Sequence, residues 1–117
     1  MISSFSFSES TVGFLVEGTF NKETVNIFIE EVLTKLKQFD KINLYIEDTG
    51  IENFTLPAVV EELMFKIKHS NQFNKVALVS DRTWVKTCGD LYSFFTNSEF
   101  HNFTSEDRIR AMSWIAQ

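Results

Sequence analysis

The chain carries one cysteine, Cys88, one proline, Pro57, four glycines and two histidines in 117 residues. A lone cysteine excludes an internal disulfide and a thiolate metal cluster, and it fits a reducing compartment. His69 and His101 fall in no metal-ligand spacing, so neither a metal nor another cofactor is expected. The few glycines form neither a phosphate loop nor a dinucleotide fingerprint. No run approaches the roughly 20 apolar residues that a membrane-spanning helix needs. The opening Met1-Ile2-Ser3-Ser4-Phe5-Ser6 lacks the basic and apolar regions of a signal peptide. Positive charge is also scarce. Eleven Lys and Arg against sixteen Asp and Glu give a net charge of -5, which repels phosphate backbones and anionic lipid. A cytoplasmic protein is expected, with no nucleic-acid partner and no stable membrane insertion.

What is abundant is phenylalanine, at thirteen residues. Part of that surplus fills a core and part is left for a surface. The length suits one domain spanning residues 1–117, large enough to bury a core without staples.

Two extended segments open the chain. Ser3 to Glu9 alternates Phe5 and Phe7 with serines, as a half-buried edge strand does, and Thr11 to Gly18 reads as a second strand. The period then changes. Asn21 can cap a helix whose inward face is Val25, Phe28, Ile29, Val32, Leu36 and Phe39. Ile42, Leu44 and Ile46 alternate as a third strand, and Asp48-Thr49-Gly50 reads as a polar turn after it. Thr55 can cap a second helix, with Pro57 in its first turn and Leu56, Val59, Val60, Leu63 and Ile67 inward. Lys75 to Val79 is a strand buried on both faces. A third helix runs from about Thr83 to Phe95, interrupted by Gly89. Phe100 and Phe103 flank a last strand, and a final helix turns Ile109, Met112, Ile115 and Ala116 inward. The order ββαβαβαβα implies an α/β fold: a mixed, mostly parallel five-stranded sheet with about four helices.

Several segments resemble one family. The run Phe73-Asn74-Lys75-Val76-Ala77-Leu78-Val79-Ser80-Asp81-Arg82-Thr83-Trp84 is similar to the strand-and-tryptophan signature of SpoIIAA-like proteins. The ending from Phe100 through Ala111-Met112-Ser113-Trp114-Ile115 resembles that family's last strand and Ala-x-x-Trp-aliphatic helix. Val16-Glu17-Gly18 and Phe65-Lys66-Ile67-Lys68-His69 also match. The resemblance covers nearly the whole chain and implies a STAS-like sheet with helices mainly on one side, related to anti-sigma-factor antagonists and, more distantly, to Sec14-type lipid carriers. It implies a binding or regulatory module and no known reaction. Antagonists of that superfamily carry a phosphorylatable Asp-Ser pair where the second helix begins. Here Asp48-Thr49 stands several residues before that helix, leaving Thr55 and Thr49 as the candidate phosphoacceptors. The long amphipathic gate helix of Sec14-type carriers has no counterpart in the sequence.

Two places are candidates for function. The carboxyl ends of the strands bring together Asp48, Thr49, Asp81, Arg82 and Trp84, where an open α/β sheet usually binds its ligand. Arg82 offers a planar donor fork and Trp84 an apolar wall. The competing reading has Asp81 capping the third helix, Arg82 solvated and Trp84 in the core. The second place is the surplus of aromatics: Phe65 falls opposite the inward stripe of the second helix, and Leu91, Tyr92, Phe94 and Phe95 span more than a core seam needs. Exposed apolar surface of that kind marks a protein partner, a second copy in a homodimer or a small apolar, lipid-like ligand. The leading expectation is therefore a non-catalytic binding module, with a phosphorylation-controlled antagonist and an enzyme built on Asp48, Asp81 and Arg82 as alternatives. Cys88 is expected to act as a small hydrophobe on a helix face.

Overall fold

Strand alternation sets the sheet. The computed structural model describes the backbone of residues 1–117 and every side chain except that of Phe7, so the expectation for the Phe7 ring lies outside the described side chains. Strands β1 (Ile2–Ser8), β2 (Thr11–Phe20), β3 (Ile42–Phe54), β4 (Phe73–Val79) and β5 (Glu99–Phe103) lie in the order β1-β2-β3-β4-β5. β1 is antiparallel to β2 and every other pair is parallel. Each parallel step needs a crossover helix: α1 (Lys22–Leu36), α2 (Leu56–Lys68) and α3 (Thr83–Phe94). The strand order advances by one each time, and right-handed crossovers then put all three helices on the same face. The last helix, α4 (Arg108–Ala116), follows β5 through a 3₁₀ turn and lies on the opposite face.

The two faces have separate cores. Phe14, Leu44, Val76 and Leu78 meet Phe28 and Val32 of α1 and Val85 and Tyr92 of α3, while Tyr45, Ala77 and Val79 meet Ala111 and Ile115 of α4. Asn21 caps α1 as expected, its side-chain oxygen accepting from the Thr24 N–H at 3.1 Å. α3 is continuous through Gly89, contrary to the expected interruption. A Cβ there would come within 2.6 Å of the Phe100 ring and 2.8 Å of the Asn102 side chain, so the glycine lets the helix lie down on the sheet.

β3 is longer than its alternation suggested. Asp48-Thr49-Gly50 is not a turn but the middle of a 13-residue strand. The extension exists because β2 also continues to Phe20, and register shifts at Val16/Glu17 and Gly18/Thr19 let Gly50 pair with Glu17 and Phe54 with Phe20. Two helix faces also differ from expectation. In α2, Ala58 and Lys66 are the buried residues and Leu56 and Val60 point to solvent. In α4, Ala111 and Ile115 are buried while Ile109 and Ala116 are exposed. The inward stripe of α4 is thus set by Ala111 and Ile115, one turn apart, with Met112 at its flank.

Candidate functional site

The carboxyl ends of β3 and β4 do assemble a polar cleft, walled by Glu47, Asp48, Thr49, Gly50, Asp81, Arg82 and Ser105. Its interior is occupied by its own ion pairs. Asp48 Oδ1 accepts from the Gly50 and Ile51 N–H groups at 3.0 and 2.8 Å, and Oδ2 accepts from Ser80 Oγ at 2.8 Å and is ion-paired with Arg82 Nε at 2.9 Å. Three hydrogen bonds and the ion pair tie both oxygens of the Asp48 carboxylate to the protein's own groups. Glu47 is engaged as fully: Tyr45 Oη donates to Oε1 at 2.7 Å, and Arg108 grips both oxygens at 2.9 and 3.0 Å. Burial, followed by the Glu47 hydrogen bond, pushes the Tyr45 phenol far above its ordinary value.

Asp81 does not cap α3. The residue at the α3 N-cap is Arg82, which makes no side-chain cap, while Asp81 receives the Ser105 N–H at 2.9 Å and its hydroxyl at 2.5 Å. Those two bonds hold the Asp81 carboxyl below its usual range. Arg82 is not simply solvated, since it binds Asp48. Trp84 is absent from this cleft. It lies on the helix side of the sheet, stacked on Phe54 with ring centroids 4.3 Å apart. Thr49 donates to the Val16 carbonyl at 3.2 Å, whereas Thr55, exposed at the α2 N-cap, makes no side-chain cap bond.

Glu47, Tyr45, Arg108, Ser80 and Ser105 were not foreseen. Glu47 and Arg108 are 61 residues apart, and no local pattern pairs them. The one sequence signal was a glutamate on the Asn43–Tyr45–Glu47 face of β3, which only a helix on the second face of the sheet could bury.

The other candidate place lies between α2 and α3. Against Trp84 is an apolar slot of about 50 Å³, walled chiefly by Val16, Phe20, Ile46, Ile51, Trp84 and Cys88. Burial, and then Glu62, raises the Cys88 thiol above its ordinary value, which keeps it protonated and unreactive near neutral pH. At one side, buried Lys66 is paired with Glu62 at 3.0 Å and lies over the Tyr92 ring at 5.1 Å. Ligand pockets for small molecules run to roughly 300–1,000 Å³, so the slot as it stands holds a few waters or one side chain.

Above the slot the surface is apolar. Leu56, Val60 and Met64, four residues apart on α2, are 66%, 50% and 59% exposed, and Leu91, Phe94 and Phe95 of α3 are 46%, 82% and 58% exposed. Two of the residues expected on this surface are elsewhere. Tyr92 is fully buried, its hydroxyl donating to Ser98 at 3.2 Å. Phe65 is half-buried, edge-on to Phe28 of α1 and tilted over His69. The reason is that α2 has helices on both sides, so its apolar arc is wide and covers Phe65 as well as the sheet-facing stripe.

Among the described residues no group of His, Cys, Asp and Glu could hold a metal ion, and no helix is long and apolar enough to cross a membrane. The fold is shared with solved structures. One is an uncharacterised protein of the DUF3478 family with a SpoIIAA-like fold from Shewanella loihica PV-4, 22% identical, with a TM-score of 0.77 over 97% of this chain and 93% of that one. Another is the anti-sigma factor antagonist SpoIIAA in its unphosphorylated form, 12% identical, TM-score 0.64, covering 97% and 98%. A third is the Bacillus cell fate determinant SpoIIAA in the phosphorylated form, 10% identical, TM-score 0.62, covering 96% and 99%. No functionally curated protein matches the chain. The profile of the SpoIIAA-like family matches residues 11–116, and the chain belongs to that family.

Proposed function

We propose that this protein is a cytosolic, non-catalytic regulatory module that docks a partner polypeptide on the groove between α2 and α3. The observation that carries the reading is the exposure of apolar side chains on two helices that pack together, Leu56, Val60 and Met64 on α2 and Leu91 and Phe94 on α3. A chain of net charge -5 that leaves such a face uncovered gains from covering it. A polypeptide suits the face better than a small apolar ligand, because about 50 Å³ of slot admits one anchoring side chain and not a lipid. The engaged state of Asp48 and Glu47 supports a role without chemistry. A photo-crosslinking side chain at Met64, with Ser113 on the opposite face as control, tests the reading in cells. A discrete adduct from Met64 and none from Ser113 is expected; equal labelling, or none at Met64, removes the proposal.

A second reading has its own observation. Thr55 is exposed, its hydroxyl makes no cap bond, and the next residue, Leu56, begins the groove. Phosphate there would add about two negative charges at the groove's edge, and a related fold is known in a phosphorylated form. Pro57 removes one of the N–H groups that would cradle it. Thr55→Glu should weaken the Met64 adduct and Thr55→Ala leave it intact. Identical behaviour of the two ends this reading.

A further inference from the structure

Resting on the docking role of the α2–α3 face, we infer that its partner is a second copy of this chain, joined across a two-fold axis that lies in the plane of contact, with the two helix pairs crossing. The first argument is area. Leu56, Val60, Met64, Leu91, Phe94 and Phe95 keep half to four-fifths of their surface in solvent. At roughly 150–200 Å² for a side chain of this size they present roughly 600 Å² of apolar surface. That is at the top of what a monomer usually leaves in one patch, and it approaches the roughly 800 Å² per partner of a stable interface before any rim is counted.

The second argument is charge. Two copies bring -5 against -5, so a self-interface has to be poor in exposed carboxylates. Residues 54–60 and 91–98 contain no charged side chain at all, the Lys66–Glu62 pair is internal and mutually neutralised, and the exposed carboxylate that α2 and α3 do carry, Asp90, accepts from the Asn102 side chain. Elsewhere the surface is rich in Glu and Lys.

The third argument is shape. The groove is asymmetric end to end: branched aliphatics, Leu56 and Val60, stand at the α2 N-terminus, and the Phe94–Phe95 pair, rings 5.1 Å apart, stands at the far end of α3. The helices run in the same direction, so the two ends are separated by about 15 Å along their axes. A two-fold axis in the plane of contact, perpendicular to the line from Val60 to Phe94 and passing near Met64 and Leu91, makes the helix pairs cross and lays the bulky aromatic end of each copy on the low aliphatic end of the other. The surface is then its own complement, as an isologous contact requires.

Sedimentation velocity and light scattering on the full chain between about 1 and 100 µM decide the matter, with circular dichroism to verify folding. The expected species has twice the 13.6 kDa chain mass. Val60→Asp and Phe94→Lys, each at an exposed position, should each give folded monomers. Because residue 94 of one copy faces residue 60 of the other, mixing the two variants should restore a 1:1 dimer through a new Lys–Asp contact. A dimer untouched by either variant places the interface elsewhere and overturns the inference, as does a mixture that stays monomeric. A wild-type chain monomeric throughout overturns it too. In that case a Met64 adduct with a different protein leaves the docking role standing, and no adduct removes both.

Discussion

The Arg108 guanidinium holds Glu47 by two hydrogen bonds, Nε to Oε2 at 2.9 Å and Nη2 to Oε1 at 3.0 Å. This pair fastens the first turn of α4 to the middle of β3, next to the smaller of the two cores. The carboxylate is buried while the guanidinium is partly open to solvent, so the two ends of the bridge are not equivalent.

Arg108→Ala should therefore cost more than a surface ion pair. It leaves a buried carboxylate with only the Tyr45 hydroxyl, a loss of about 2–3 kcal/mol after allowance for the exposure of the arginine. Arg110, mostly exposed and 3.6 Å from Asp107, provides the contrast: its alanine variant should stay within about 0.5 kcal/mol of wild type. Urea unfolding of both variants checks the difference. Equal midpoints would show that Glu47 is solvated once α4 loosens.

Gly13→Ala is predicted to destabilise the fold for a different reason. The Phe5 ring lies over the glycine, and a Cβ at position 13 would come within 2.5–2.8 Å of three ring carbons. Gly13→Ala must lift the ring off β2 and away from its edge-on contact with Tyr45, at a cost of about 1–3 kcal/mol. In the Phe5→Leu background, where the ring is gone, the same substitution should cost less. Additive losses in the double variant would refute the steric account.

The sheet and the order of its elements were legible because they rest on local periodicity. Asn21, the Val25–Phe28–Val32 face of α1 and the apolar run of β4 each announce themselves within one or two turns of chain. What was not legible depends on partners distant in sequence. The extension of β3 past Asp48 requires β2 to continue opposite it. Gly89 reads as a helix breaker until Phe100 and Asn102 are placed beneath it. Phe65 is misplaced on its helix only while α1 is missing from its flank. At the candidate sites the residue types were visible but not their pairing. Asp48, Asp81 and Arg82 do gather at one cleft, yet Arg82 serves Asp48 and Asp81 serves Ser105. The outward turn of Leu56 and Val60 follows from the burial of Ala58 and Lys66, a polar residue that periodicity assigns to solvent.

Alkaline conditions should destabilise this protein more than its composition suggests. Burial raises both the Tyr45 phenol and the Cys88 thiol above their ordinary values of 10.0 and 9.0. Each contribution is fully present below the unfolded-state value and is lost as pH rises above it, because the unfolded chain releases a proton that the folded chain keeps. Above about pH 10 each group still protonated in the fold lowers stability by up to about 1.4 kcal/mol per pH unit. Urea midpoints measured from pH 8 to pH 11 should fall steeply in wild type and less steeply in Tyr45→Phe and in Cys88→Ala. Parallel slopes in all three would show that neither group is shielded in the fold.

Asp48 is predicted to be a structural anchor, so its loss should unfold the strand ends before it abolishes any binding. Its carboxylate joins three elements: its own strand through Gly50 and Ile51, the end of β4 through Ser80, and the approach to α3 through Arg82. Asp48→Asn keeps the shape but replaces one acceptor oxygen with an NH₂ group, which must face either two backbone donors or Ser80 and Arg82. Either orientation sets donor against donor, at a cost of about 2–4 kcal/mol. Removing the charged partner as well should recover part of the loss, so Asp48→Asn combined with Arg82→Gln should be more stable than the sum of the single variants implies. If Asp48 were instead a reactive carboxylate held ready in the cleft, Asp48→Asn would leave stability unchanged or improve it, as relief of a strained ionised group does. The sign of the change in the urea midpoint therefore separates an anchor from an active-site carboxylate without any knowledge of a substrate.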